Sequence, residues 1–238
     1  MSEAKLLNLF NTGCTINSSG TTGTPKEIFR TPDNLKWCAD AAVDSQEISS
    51  SSKIYTVCKM SHAGGLLAQT LPGLRIGASV DIEPFNPYTY FKNLINKKYT
   101  HSHLTPGHCK ALMQTHSWDT VDLSGIWITC GADPVTWDII EGFVSKGATF
   151  MSNWGMSEIG PCAINTVFRS QEDINLFKNN QGTILGNRFY CDWKIENQQL
   201  YVKGNQCIYN DWFDTADLVV NLQDCLYYTG RINLLQQT

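Results

Sequence analysis

Charge is scarce in this chain. Asp, Glu, Lys and Arg make up 17% of its 238 residues, against roughly 25% in a typical soluble domain. A net charge of −4 leaves no basic excess of the kind a nucleic-acid partner needs. Long apolar runs are also missing. No stretch reaches the ~18 residues of a membrane helix, and the opening MSEAKLLNLF has no extended apolar segment to serve as a secretion signal. Neither nucleic acid nor membrane is therefore an expected partner. Cysteine occurs nine times, but never in a CxxC pair, so zinc-ribbon and thioredoxin chemistry find no support. An odd number of scattered thiols without a signal peptide points to a reducing cytoplasm, most of them acting as small buried apolar residues. The low charge leaves two explanations open. Part of the surface hides in a homo-oligomer or against a partner, or the surface is made polar by the abundant Asn, Gln, Ser and Thr.

What is present is an alternation of strand and helix patterns. CTIN (14–17) and EIFRT (27–31) predict short strands on either side of a glycine-rich loop. TPDNLKWCADAAVD (31–44) predicts a helix with Thr31 as N-cap and Pro32 at the first helical position, where its missing N–H costs nothing. KIYTVCKM, ASVDIE, THSHLT, LSGIWITCGA and ATFMSNWG predict further strands. Helical patterns separate them, and Gly147 closes the last of these helices. Strands alternating with helices from residue 14 to 156 imply an α/β layered fold with a mostly parallel sheet. Beyond Pro161 the period shortens and Gly and Asn turns appear, which predicts a small β-rich subdomain. The expected division is 1–160 for the core, 161–233 for the β-rich part and 234–238 for a tail remnant.

The glycine-rich stretch NSSGTTGTPKEI suggests a phosphate grip. It is not a Walker A loop, because Lys26 follows Pro25 and Thr24, before the proline, is pushed away from helical backbone. A strand–loop–strand hairpin fits instead. The hydroxyls of Ser18, Ser19, Thr21, Thr22 and Thr24, the N–H groups at Gly20 and Gly23, and the charge of Lys26 would together cradle phosphate oxygens. The bland alternative is an ordinary Ser/Gly turn.

SSGTTGTPK resembles the phosphate loop of the adenylate-forming superfamily, which includes acyl-CoA synthetases, peptide-synthetase adenylation domains and luciferases. Three further motifs follow in that family's order: NWGMSE at 153–158, DWFDTADLV around Asp217, and TGR ending at Arg231. The pattern is most similar to o-succinylbenzoate–CoA ligases and short acyl-CoA synthetases. The resemblance runs from about residue 14 to 233. It implies that the chain binds ATP with Mg²⁺ and activates a small carboxylic acid as an acyl-adenylate, with CoA as one candidate acceptor.

Residue by residue, the resemblance implies these roles. The loop Ser18–Lys26 holds the departing phosphates. Asn153, Trp154, Gly155 and Met156 belong to the nucleotide-binding set, with the Trp154 ring stacking on adenine in the position usually held by Tyr. Ser157 supplies a hydroxyl to the α-phosphate, and Glu158 is the Mg²⁺ ligand. Gly131, Ala132 and Asp133 line the other adenine edge. Asp217 accepts from the ribose hydroxyls, although Ala216 replaces the usual Gly before it. Arg231 contacts ribose or phosphate, and His62 in SHAGGL borders the acid. The catalytic set would be Lys26, Ser157, Glu158 and His62. Four of these residues have a plainer alternative: core packing for Trp154, a solvated carboxylate for Glu158, a surface ion pair for Arg231, a structural imidazole for His62.

Only seventeen residues precede Ser18 and seven follow Arg231, with Asn233 at the hinge position. The resemblance thus implies a core without the family's N-terminal subdomain and C-terminal lid, and weak turnover. The alternatives are a non-catalytic nucleotide-binding module and one half of a split enzyme whose lid or carrier is a separate chain.

Overall fold

In the computed structural model, which describes residues 2–18 and 26–232, the alternation resolves into three sheets. After a first helix, α1 (Glu3–Thr12), strands β1 (Cys14–Asn17) and β2 (Glu27–Arg30) pair antiparallel with Asn17 opposite Glu27. This is the hairpin that Pro25 predicts. Helix α2 (Pro32–Ser45) follows at once. The Thr31 hydroxyl accepts the Asn34 N–H, and the Asn34 side chain accepts the Thr31 N–H in return, forming a capping box.

The main sheet takes its strands from most of the remaining chain. They are β3 (Lys53–Thr56), β4 (Ser79–Ile82), β5 (His101–Leu104), β6 (Trp127–Gly131), β7 (Thr149–Met156) and β8 (Gly160–Phe168). After β9 (Thr183–Gly186), β10 (Arg188–Phe189) completes it. Its order is β10-β8-β7-β6-β5-β3-β4. The pairings among β3 to β7 are all parallel, while β8 on β7 and β10 on β8 are antiparallel. The central strand β6, WITCG, is buried at every position, as expected of a parallel strand covered on both faces. Its neighbours Trp127 and Ile128 point to opposite faces. Ile128, with Phe150 and Phe168, meets Tyr90, Leu94, Leu112, Ile140 and Phe143 of the helices on one side. Trp127, with Met151 and Cys162, meets Ala42 of α2 on the other.

The change of pattern near residue 161 has a structural counterpart, but not as a clean division. β8 begins at Gly160 and still belongs to the seven-stranded sheet, and a helix (Gln171–Phe177) follows it. The separate five-stranded antiparallel sheet starts at β9. It continues with β11 (Asp192–Glu196), β12 (Gln199–Lys203), β13 (Phe213–Leu222) and β14 (Cys225–Arg231), in the order β11-β12-β13-β14-β9. The Gly-Pro opening of β8 looks like a turn, although eight of its nine residues are buried. Trp154 and Ile164 of the first sheet, with Ile159 of the turn between β7 and β8, pack with Leu200, Val202, Val219 and Leu226 of the second. Segment 153–160 therefore lies where the two sheets meet. No helix among the described residues is long and apolar enough to cross a membrane.

Candidate functional site

In open α/β sheets, ligands gather outside the carboxyl ends of the strands. Here β6 ends at Gly131 and β7 runs out through Asn153 beside it, the two residues being parallel partners. A Cβ at Gly131 would lie 2.4 Å from the Asn153 carbonyl oxygen, so only glycine fits there. Ala132 then turns at φ +80, with Ala132 and Asp133 exposed. Asn153 is buried. Its Nδ2 donates to the Pro161 carbonyl at 2.5 Å, while its Oδ1 has no partner among the described residues. A buried acceptor left open at a strand end suits a ligand donor such as an exocyclic amine or a hydroxyl.

Trp154 and Asp217 are 63 positions apart and meet at this place. The indole Nε1 donates to Asp217 Oδ2 at 3.0 Å, and both residues are buried. Trp154 thus sits mostly in the core between the sheets, with its polar edge on the carboxylate. On the other side, Arg231, the β-ladder partner of Asp217, brings Nε to 3.6 Å from Oδ1, and its Nη2 donates to the Thr215 carbonyl at 3.3 Å. Burial pushes the Asp217 carboxyl above the ordinary aspartate range, and the Trp154 N–H and the Arg231 charge pull only part of the way back. Ala216, directly before it, holds φ +59, a left-handed conformation that glycine takes without strain. The bend aims the Asp217 backbone N–H at the Thr215 hydroxyl, 3.1 Å away.

Gly155 and Met156 complete β7, where a Cβ on Gly155 would strike the Gly160 carbonyl oxygen. Ser157 and Glu158, both half-buried, form the turn into β8. The Glu158 carboxylate lies toward Cys207, whose thiol is pushed up mainly by burial and in part by that charge. The Ser157 carbonyl accepts from Arg30 Nη1 at 2.6 Å. Arg30 was not among the residues the sequence singled out, though a signal existed. In EIFR the inward face carries Ile28 and Arg30, and an arginine at the period-two position of a buried isoleucine is a polar group facing the core.

Of the glycine loop, Ser19, Gly20, Thr21, Thr22, Gly23 and Thr24 lie outside the described residues, as does Asn233. The base of the loop is described. The Ser18 N–H donates to the Lys26 carbonyl, and the Lys26 N–H to Ser18 Oγ. The Lys26 side chain is exposed. Just below, the Asn17 N–H donates to the Ser61 carbonyl, which joins the hairpin to the segment carrying His62. His62 Nδ1 sits 3.0 Å from Ser61 Oγ. Among the described residues no hydrogen bond links His62 to Trp154 or Asp217. A groove of about 580 Å³ between α2 and the 203–210 segment is lined by residues including Trp37, Tyr190, Gln206 and Tyr209, but by none of Trp154, Glu158 or Asp217.

The model of the AMP-binding enzyme family matches residues 12–206. Curated relatives include an indoleacetate–CoA ligase from Aromatoleum aromaticum, 31% identical over 148 residues, covering 61% of this chain and 29% of the relative. Another is a 4-coumarate–CoA ligase 1 from Arabidopsis thaliana, 28% identical over 178 residues, covering 71% and 32%. Among solved structures, an o-succinylbenzoate CoA synthetase (MenE) from Bacillus subtilis superposes with a TM-score of 0.76 at 21% identity, over 92% of this chain and 48% of that one. The N-terminal domain of FACL13 from Mycobacterium tuberculosis gives 0.76 at 15% identity, over 92% and 60%. The chain thus spans under a third of the first curated relatives and about half of the structural ones.

Proposed function

Because this chain belongs to the AMP-binding enzyme family, we propose that it uses ATP to activate a carboxylic acid as an acyl-adenylate, the first half of an acid–CoA ligation. The observation that carries the proposal is the meeting of Trp154 with Asp217 and Arg231 between the two sheets, next to the strand end where Asn153 lies beside Gly131. A nucleoside, with its N–H and O–H donors, suits the acceptors here. Asn153 Oδ1 is an open buried acceptor, and the Asp217 carboxylate has acceptor capacity left for ribose hydroxyls beyond its bond to Trp154.

In this reading the acid's carboxylate oxygen attacks the α-phosphorus and pyrophosphate leaves. The chain's part is positioning and charge neutralisation. Lys26 and the Ser18–Lys26 loop hold the departing phosphates, the Ser157 hydroxyl meets the α-phosphate, and His62 borders the acid. Mg²⁺ is usually bound by one or two carboxylates together with substrate phosphates, and Glu158 is the carboxylate proposed to offer one. When bound, the ion would neutralise phosphate charge. The names of the relatives, which include indoleacetate, ferulate and coumarate ligases, favour an aromatic acid. CoA is the proposed acceptor, its thiol displacing AMP. Nine free thiols suit a reducing, cytoplasmic setting.

The test is carboxylate-dependent exchange between ATP and pyrophosphate with a panel of arylacetic and hydroxycinnamic acids. Exchange that depends on one of these acids supports activation. Binding of Mg-ATP without exchange would favour the non-catalytic module, and exchange restored by a lid domain added in trans would favour the split enzyme.

A further inference from the structure

The turn that carries Ser157 and Glu158 is held through three consecutive carbonyls, each by a different segment. Ser157 O accepts from Arg30 of β2. Glu158 O accepts from the Ile208 N–H at 2.9 Å. Ile159 O faces the Cys38 thiol of α2, whose S–H donates across 3.9 Å. Arg30 connects all three anchors, because its Nη2 also donates to Cys38 Sγ at 2.9 Å and to the Gln206 carbonyl, two residues before Ile208. The turn has no slack on the α2 side. Gly160 holds φ +98, and a Cβ there would lie 2.5 Å from Cys38 Sγ.

Arg30 is fully buried, and among the described residues it makes no ion pair. Burying a guanidinium on main-chain carbonyls and a thiol is costly. A spacer that merely filled the volume would be served by leucine or methionine. What the guanidinium adds is two fixed donors at set angles, one on the turn and one on the 204–208 segment behind it.

We propose that Arg30 is a positioning residue for the phosphate end of the site. By clamping the Ser157 and Gln206 carbonyls, it sets the direction in which the Ser157 hydroxyl and the Glu158 carboxylate face a triphosphate. The proposal rests on the nucleotide reading above. It separates the two ends of the ligand, because Trp154 and Asp217, on the nucleoside side, make no hydrogen bond to Arg30.

The test compares wild type with Arg30→Met and Arg30→Lys by calorimetric titration with Mg-ATP and, separately, with adenosine, together with amide exchange by mass spectrometry. In Arg30→Met, Mg-ATP affinity falls about tenfold to a hundredfold, the effect of losing charge-assisted hydrogen bonds that orient the phosphate ligands. Adenosine affinity stays within about twofold. Amides at 156–160 and 204–208 exchange faster, while β5 and β6 remain as protected as in wild type. Arg30→Lys, which keeps the charge but reaches one carbonyl at a time, falls between, and it carries the same comparison if Arg30→Met does not fold. Equal losses for adenosine and Mg-ATP would reduce Arg30 to a general structural part and overturn the proposal. So would faster exchange spread evenly over the sheet, or no change in either readout. A wild-type protein that binds neither ligand would overturn the nucleotide reading instead, and the exchange pattern would still decide whether Arg30 holds the turn.

Discussion

At the scale of single residues, Asp217 shows how a candidate site residue works against the fold that holds it. Its carboxyl is raised by burial, so the folded state resists ionising it more than the unfolded chain does. The sign follows from linkage. A carboxyl raised in the folded state stabilises the fold below the unfolded pKa, and that contribution is lost as pH rises through the folded value. Asp217→Asn, which cannot ionise, should therefore gain urea stability relative to wild type on going from pH 4 to pH 7. A stability difference that stays flat over that range would contradict the raised carboxyl. The residues of this site were unequally legible in the sequence. Trp154, Glu158 and Asp217 stood out through their motifs, but that the Trp154 indole bonds Asp217 across 63 positions is a tertiary fact that no local pattern carries. Arg30 was hidden because its partners are carbonyls, and a carbonyl leaves no mark in a sequence.

At the scale of elements, boundaries with a local cause were readable. Thr31 and Pro32 start α2 as their chemistry requires. CTIN is β1 to the residue, and Gly147 closes the helix before β7 (Trp137–Ser145) at φ +87. Neither β8 nor the order of strands in the sheet is legible in local sequence, since both depend on pairings made after collapse. The strand β5 has a testable property that arises from this packing. His101 and His103 on β5, and His108 on the helix after it, are all pushed down by burial, His103 to about 4. A histidine depressed in the folded state contributes stability that is complete above its ordinary value near 6.5 and is lost as pH falls toward the folded value. Stability should thus decline between about pH 6.5 and 4, with His103 alone responsible for up to about 3 kcal/mol. His103→Gln should flatten that decline without abolishing it, because His101 and His108 remain. An unchanged acid slope in urea titrations of His103→Gln would show that His103 does not stay neutral.

At the scale of the whole molecule, surface and site make different claims. β4 lies at one end of the seven-stranded sheet, with Ser79, Asp81 and Ile82 exposed. Exposed edges pair readily with other strands. Phe29, Trp37, Tyr88 and Leu176 are exposed as well. With so few charges on the chain, self-association at micromolar concentration is the expected outcome, and a monomer throughout in sedimentation velocity would contradict it. The proposed function requires that the site between the sheets hold a nucleotide through Trp154 and Asp217. The most direct measurement is a calorimetric titration of Mg-ATP into the wild-type chain and into Asp217→Asn. Saturable binding by the wild type is expected, with a weakening of about tenfold or more in the variant, the loss of hydrogen bonds to a charged acceptor being about 1.5–3 kcal/mol each. No binding by the wild type, or equal affinity in the two proteins, would contradict it.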